Sequence, residues 1–258
     1  MTRTDYTSYL RIDELLGLQQ PLTHGAHDEM LFVVIHQVYE LWFKLMLHEL
    51  DHAVEELLAG RPQGAVPPLT RTIRIDELLD AQLRVLETMS PEGFLDFRDP
   101  LAPASGLQSG QFRAIECLGG LRDAVRPDDP SLSDHDRAEL RRRLPLPTLY
   151  EAFCAAMRAH GLDAPDGPGD EERERRMRSL AALYRDHGDA SRALLHGVCE
   201  LLLDHDETIT RWRVHHALMA AREIGARTGT GGSTGVDYLH GTVQQRFFPE
   251  LWEVRSRL

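Results

Sequence analysis

The 258 residues are 42% hydrophobic and 27% charged, ordinary globular proportions that exclude a disordered chain and leave length enough to bury a sizeable core. Lys and Arg total 29 against 41 Asp and Glu, a formal net charge of −12 that repels phosphate backbones and, with no basic patch in view, excludes nucleic acid as a partner. Cys117, Cys154 and Cys199 lie far apart with no Cys-x-x-Cys pair, and the opening residues lack the apolar run of a signal peptide, so the expectation is a soluble, cytoplasmic protein without a disulfide framework.

Strand signals are scarce, whereas helical spacing of apolar residues recurs from end to end. The expected fold is therefore all-α, one helical domain over residues 1–258. Helices are predicted over 11–19, 28–59, 68–89, 109–124, 134–143, 147–160, 171–186 and 188–225, then two short ones over 237–246 and 249–256. Breakers separate them at Pro21, 61–64, 99–106 and 126–130, and the loop 162–170 is the nearest thing to a linker. The run 171–178 alternates in sign and reads as a solvated helix face.

The helix over 28–59 contains the most apolar stretch, 29–50, but His36, Glu40, Lys44, His48 and Glu49 interrupt it, which a bilayer span rarely tolerates. At about 100° per residue the face of His36 also carries Phe32, Tyr39, Glu40, Phe43, Leu47 and Leu50. A histidine in such a stripe is ordinarily a core residue bonded to a neighbouring carbonyl or side chain, with Glu40 a candidate partner. Farther along, His48-Glu49-Leu50-Asp51-His52 matches the His-Glu-x-x-His pattern of zinc hydrolases, but no third ligand follows at a recognisable spacing, and the motif reads as solvated surface.

In the helix over 188–225, His215 and His216 are adjacent and cannot share a face. The face of His215 carries Asp204, Arg211 and Arg222; that of His216 carries Ile209, Trp212, Met219 and Ala220. His216 is therefore the histidine expected in an apolar wall, either as a satisfied core residue or as an axial ligand of haem iron. The glycine-rich stretch 227–235 follows directly. It is neither a P-loop nor a dinucleotide fingerprint, and reads as a flexible connection or as a loop that closes over a small substrate. Arg113 falls near the start of a helix, where a cation is disfavoured and calls for an anionic partner, an internal salt bridge or a ligand carboxylate.

These segments together resemble the tryptophan 2,3-dioxygenase family. The likeness is carried by 6–16 (Tyr-Thr-Ser-Tyr-Leu-Arg-Ile-Asp-Glu-Leu-Leu), by the block 27–50 around His36, by Ala-Ser-Gly-Leu-Gln-Ser-Gly-Gln-Phe-Arg at 104–113, by Trp-Arg-Val-His-His at 212–216, by Gly-Thr-Gly-Gly-Ser-Thr-Gly at 229–235 and by Phe-Pro-Glu-Leu-Trp at 248–252. The stretch 126–200 carries none of it. The resemblance implies an all-α homotetramer binding haem b, active in the ferrous form. It implies insertion of O2 across the indole C2–C3 bond of L-tryptophan or a close derivative, giving an N-formylkynurenine-type product of the kynurenine pathway. Carried over by position, it makes His216 the proximal iron ligand and His36 the distal histidine facing the indole N–H. Phe32 lines the indole pocket, Arg113 binds the carboxylate, and Thr230 contacts the carboxylate or ammonium end. Tyr6 and Tyr9, in the segment 1–20, reach into a neighbouring subunit's site.

Three departures from the family pattern stand out: Gly110 in place of a bulkier residue, Leu107 in place of Phe, and Cys-Leu-Gly-Gly-Leu-Arg after Glu116. Missing bulk near Arg113 would admit a substituted tryptophan in specialised metabolism. Mono-oxygenation to an oxindole is the alternative chemistry within the resemblance. A haem protein that only senses gas or indoles is the alternative outside it, and it has no need of Arg113, Thr230 and His36 together.

Overall fold

The computed structural model describes residues 5–186 and 188–258; residues 1–4 of the segment expected to reach a neighbouring subunit lie outside them. Among the described residues there is no strand, and the helices are α1 (Tyr6–Leu10), α2 (Ile12–Leu15), α3 (Glu29–Leu58), α4 (Pro62–Leu86), α5 (Pro91–Leu101), α6 (Gly110–Leu118), α7 (Asp134–Arg143), α8 (Leu149–Ala159), α9 (Asp170–Arg185), α10 (Ala190–Ile224), α11 (Val236–Val243) and α12 (Pro249–Glu253). The frame is the α3–α4 hairpin with α10 laid along α4; α6 and α8 pack on α3, and α11 packs on α10. A continuous apolar core threads this frame through Met46, Leu50 and Leu57 of α3, Leu69, Leu79 and Leu83 of α4, and Leu195 and Leu202 of α10. By length and composition α3 could cross a membrane. One face of it lies in that core, and two of its carboxylates are paired, Glu49 with Arg71 at 2.5 Å and Asp51 with Arg143 at 2.6 Å.

Local chemistry sets the boundaries, and it moves several of the expected ones. The helix predicted over 11–19 is reduced to α2, and Arg11, at a left-handed φ of 52°, separates it from α1, which the apolar spacing does not predict. Helix α4 starts six residues before the predicted 68. Pro62 occupies its first position, where no N–H bond is lost, and Pro67 and Pro68 are absorbed while Ala65, Pro68 and Leu69 are buried. Helix α5 is not predicted by the apolar spacing. Its signal is the Ser90–Pro91 pair, in which the Ser90 hydroxyl accepts from the Gly93 N–H at 3.0 Å and Phe94 and Phe97 bury one face. Helix α6 stops at Leu118 instead of 124, because Gly120 takes a φ of 95° and a Cβ on Gly119 would run into the Phe247 ring.

Two surface readings are overturned. The run 171–178 is not simply a solvated face: Arg176 is buried, donating to Glu250 at 2.7 Å and to the Pro165 and Gly167 carbonyls at 2.9 Å each. Those bonds, with Ser179 Oγ–H to the Asp163 carbonyl at 2.8 Å, pin the loop 162–170 down, so it does not act as a linker. The C-terminal segment is held by Asp206, fully buried on α10, whose carboxylate accepts from the Phe247 and Phe248 N–H groups at 3.0 and 3.1 Å and from Trp252 Nε1 at 2.9 Å. Cys117, Cys154 and Cys199 are buried and unpaired.

Candidate active site

One large cleft opens between α3, α5, α6, α10, α11 and the loop 227–235, enclosing about 1510 Å³ of atom-free space with the part open to solvent counted. Phe32, Phe43, Leu83, Leu86, Met89 and Phe94 make it mainly apolar, and His36, Arg113, His216 and Thr230 all line it. Residues distant in sequence are thus brought to one place.

His36 projects from α3 with its ring 4.0 Å from that of Phe32. Its hydrogen-bond partner is not Glu40, which instead accepts from Gln111 Nε2 at 2.8 Å, but the Phe32 carbonyl one turn back, 2.8 Å from Nδ1. A carbonyl only accepts, so the proton sits on Nδ1 and Nε2 keeps its lone pair. Burial, partly opposed by the Phe32 bond and the charge of Glu40, pulls the His36 pKa below the usual imidazole value. The ring is neutral and its free nitrogen is an acceptor.

His216 comes from α10 and lies flat against Trp212, centroids 5.3 Å apart at 12°. The Trp212 indole is itself fixed, since its N–H donates to the Tyr39 hydroxyl at 3.3 Å and that hydroxyl donates to the Leu79 carbonyl at 2.6 Å. Burial, then the neighbouring His36 and His215, push the His216 pKa down to about 4. Its neighbour His215 points away to Asp80 at 2.9 Å and Glu87 at 3.2 Å, so the helix-face choice between the two histidines agrees with the structure.

Arg113 is the fourth residue of α6 and lines the cleft with an internal partner already in place: Nη1 lies 2.6 Å from Glu116 Oε2, while Nε is buried without a hydrogen bond. Glu116 Oε1 accepts from Arg213 Nη2 at 3.1 Å. Arg98, on the unforeseen α5, also lines the cleft; it donates to the Thr228 carbonyl and likewise leaves a buried Nε unpaired. Thr230 Oγ1–H donates to the Ala104 carbonyl at 2.6 Å. The glycine-rich loop is therefore docked onto the segment before α6, where a side chain on Gly231 would collide with Ser105. Arg98, Glu116 and Arg213 escape a reading of the sequence because their roles come from partners on other elements. Only the i, i+3 spacing of Arg113 and Glu116 was there to be seen.

The remaining expectations sort themselves by position. Tyr6 and Tyr9 sit on α1, 74% and 75% exposed, and do not line this chain's own cleft. His48 and His52 face solvent while Glu49 is buried against Arg71, so the His-Glu-x-x-His residues do not converge, and the solvated reading holds for the histidines but not for Glu49. Gly110 does not line the cleft; a Cβ there would overlap the Asp136 carboxyl group, so α7 fills the space expected to be open beside Arg113. Leu107, the other departure, does line it.

Comparison with known proteins bears on this geometry directly. The tryptophan 2,3-dioxygenase family model matches residues 1–136 and 173–258. The chain belongs to the tryptophan 2,3-dioxygenase family. It is 42% identical over 259 residues to a tryptophan 2,3-dioxygenase of Nocardioides sp., covering 98% of this chain and 94% of that one. It is 42% identical over 262 residues to that of Herpetosiphon aurantiacus, covering 98% of each. A third, from Caulobacter vibrioides, is 39% identical over 258 residues, again 98% of each. Every residue lining the cleft lies within the two matched ranges, and the unmatched stretch 137–172 contributes none. Membership of an enzyme family makes this cleft the candidate active site.

Proposed function

We propose that the cleft binds haem b and that the chain catalyses insertion of both atoms of O2 across the indole C2–C3 bond of L-tryptophan, giving N-formylkynurenine. The observation that carries this reading is a pair of neutral imidazoles, His36 and His216, on separate helices lining one apolar cleft that also holds a guanidinium with donors left over.

The residues present fit the group. A flat macrocycle with two carboxylates needs apolar walls, an axial nitrogen and a cation at its rim; the cleft offers all three, the cation being Arg98 with its buried, unbonded Nε. Three acidic side chains lie in the wall: Glu40 accepts from Gln111, Glu116 is paired with Arg113 and Arg213, and Glu223, 7% exposed, has an unbonded Oε2 and no such partner for it. Burial raises its pKa, opposed by Arg222 and reinforced by Glu87 and Glu92. His216 would ligate the iron and Arg98 would meet a carboxylate. Haem, when bound, supplies the redox-active iron that activates O2.

The chain's own task is placement. Phe32 walls the indole, and the His36 Nε2 lone pair accepts the indole N–H. The free edge of Arg113 takes the carboxylate in a bidentate grip. Because the Thr230 hydroxyl proton is committed to Ala104, its oxygen can only accept, which suits the ammonium end and not the carboxylate. Substrate plus O2 equals product, so no external reductant or obligatory base is required. Closure of the Gly110 side by Asp136 favours unsubstituted L-tryptophan over a bulkier derivative.

The whole chain, residues 1–258, works on this reading as one haem-binding oxygenase domain in a homotetramer. Helices α1 and α2 bury no residue, and Leu10, Leu16, Leu18 and Leu22 are exposed beside Tyr6 and Tyr9, as suits a segment that covers a neighbour's cleft.

Mass spectrometry of the product formed under isotopically labelled O2 tests the reaction. Two label atoms support ring cleavage, one indicates oxindole formation, and a tryptophan-dependent Soret shift without turnover indicates a sensor. A second measurement tests the iron ligand. Only the neutral ring binds metal, so hemin affinity should stay flat from about pH 8 to about pH 5 and weaken below, as His216 protonates near pH 4. The haem-free fold should lose stability over the same descent from about pH 6.5, because the unfolded chain takes up a proton that the folded ring refuses. A decline in hemin affinity beginning near pH 6.5 would show that the ligand is a solvent-exposed imidazole.

A further inference from the structure

We propose that Glu116 is a positioning residue, an internal carboxylate that grips the Arg113 guanidinium from one side so that its opposite edge is held out to a ligand carboxylate. The inference rests on the reading of Arg113 as the carboxylate clamp.

Arg113 stands four residues into α6, close to the positive end of the helix dipole, a place a long, flexible cation tends to leave. Glu116 lies one turn further on the same helix, is 2% exposed, and faces two guanidiniums: Oε2 makes an ion-pair contact with Arg113 Nη1 at 2.6 Å that is not aligned as a hydrogen bond, and Oε1 accepts from Arg213 Nη2 at 3.1 Å. Arg213 is itself immobile. It is 3% exposed, donates from Nη1 to the Gln245 carbonyl at 3.0 Å and lies over the Phe247 ring at 5.2 Å. The tie therefore runs from the C-terminal segment through the buried Arg213 and Glu116 to Arg113, whose side chain is 14% exposed.

What it leaves free is as informative as what it holds. A guanidinium carries five N–H donors in a rigid fork, and a carboxylate is gripped best along the Nε edge. Glu116 occupies Nη1, on the other side, and Nε is buried with no partner. A buried unbonded donor is destabilising, and a ligand carboxylate would relieve it. Had Glu116 taken Nε, it would compete with the ligand; at Nη1 it orients the group without competing.

The test uses the full chain loaded with hemin and reads ligand affinity from the Soret shift, comparing L-tryptophan with tryptamine, which has the same indole and ammonium but no carboxylate. Glu116→Gln keeps the shape of the side chain and removes the charge. It should weaken tryptophan binding about tenfold and change tryptamine binding less than twofold. An equal loss for both ligands would show a merely structural role and overturn the proposal, as would no loss for either. If Glu116→Gln does not fold, Glu116→Asp, which keeps the charge but withdraws it by one methylene, is read by the same comparison. Arg113→Lys separates the two layers of inference. If it weakens tryptophan selectively while the Glu116 variants do not, the clamp stands and the positioning role fails; if it shows no selectivity, the clamp itself fails.

Discussion

Replacing His216 with Ala should abolish haem retention, while replacing His215 with Ala should leave it intact. The two side chains are adjacent in sequence and opposite in surroundings. His216 lines the cleft with a pKa near 4, a neutral ring with a lone pair to give, and it is the imidazole that α10 contributes to that wall. Its removal leaves a methyl group behind Trp212, so hemin should be stripped by gel filtration and the Soret band lost. Added imidazole should restore the band in the His216→Ala protein, because the cleft around the missing ring is otherwise unchanged. His215 is hydrogen-bonded to Asp80 and Glu87 at the partly exposed boundary of α4, and its loss should cost only about 1 kcal/mol of stability, with haem content unchanged. Full haem content in the His216 variant would remove the basis of the proposed function.

The largest loss of stability should come from Asp206→Ala. Asp206 is fully buried, and its two oxygens satisfy two backbone N–H groups and one indole N–H that fasten the segment from Phe247 to Trp252. Without the carboxylate three donors lose their acceptor at once, each at a cost of about 1–3 kcal/mol before relaxation and water admission. The expected loss is about 3–5 kcal/mol, which for a chain of this size lowers Tm by roughly 10 °C in a calorimetric scan. Asp206→Asn should fall between, since an amide offers one acceptor but turns N–H donors toward other donors. A Tm unchanged by Asp206→Ala would mean that this segment is held by its apolar contacts alone.

Much of this architecture was legible in the residues. The 3.6-residue apolar period gave the long helices, and the opposed faces of His215 and His216 separated the iron-ligand candidate from its hydrogen-bonded neighbour, because that information is local to one helix. Helix α5 was not legible, since only Phe94 and Phe97 mark its buried face and the Ser90–Pro91 start signal precedes a short element. The early start of α4 was hidden by prolines that punctuate most chains but here fall where burial compensates. In the site, the family likeness pointed to Arg113, Thr230 and His36, but not to what holds them. Arg98 and Asp136 meet partners on other elements, and Glu116 joins Arg113 of its own helix to Arg213 of α10, so beyond the Arg113–Glu116 spacing their parts follow from the tertiary arrangement. The same limit misled the reading of Gly110, whose missing side chain looked like room for a ligand until Asp136 of α7 was seen in that room.

Helix α3 behaves as an axle. Phe32 and His36 sit toward one end, while Glu49 and Asp51, about 20 Å along at 1.5 Å per residue, are clamped to Arg71 and Arg143 on α4 and α7. Those two clamps resist rotation of the shaft, so the direction in which the imidazole points is governed in part from far outside the cleft. Drift in a family member's sequence at the remote end would then reach the chemistry as a misaimed ring, with the fold itself left standing.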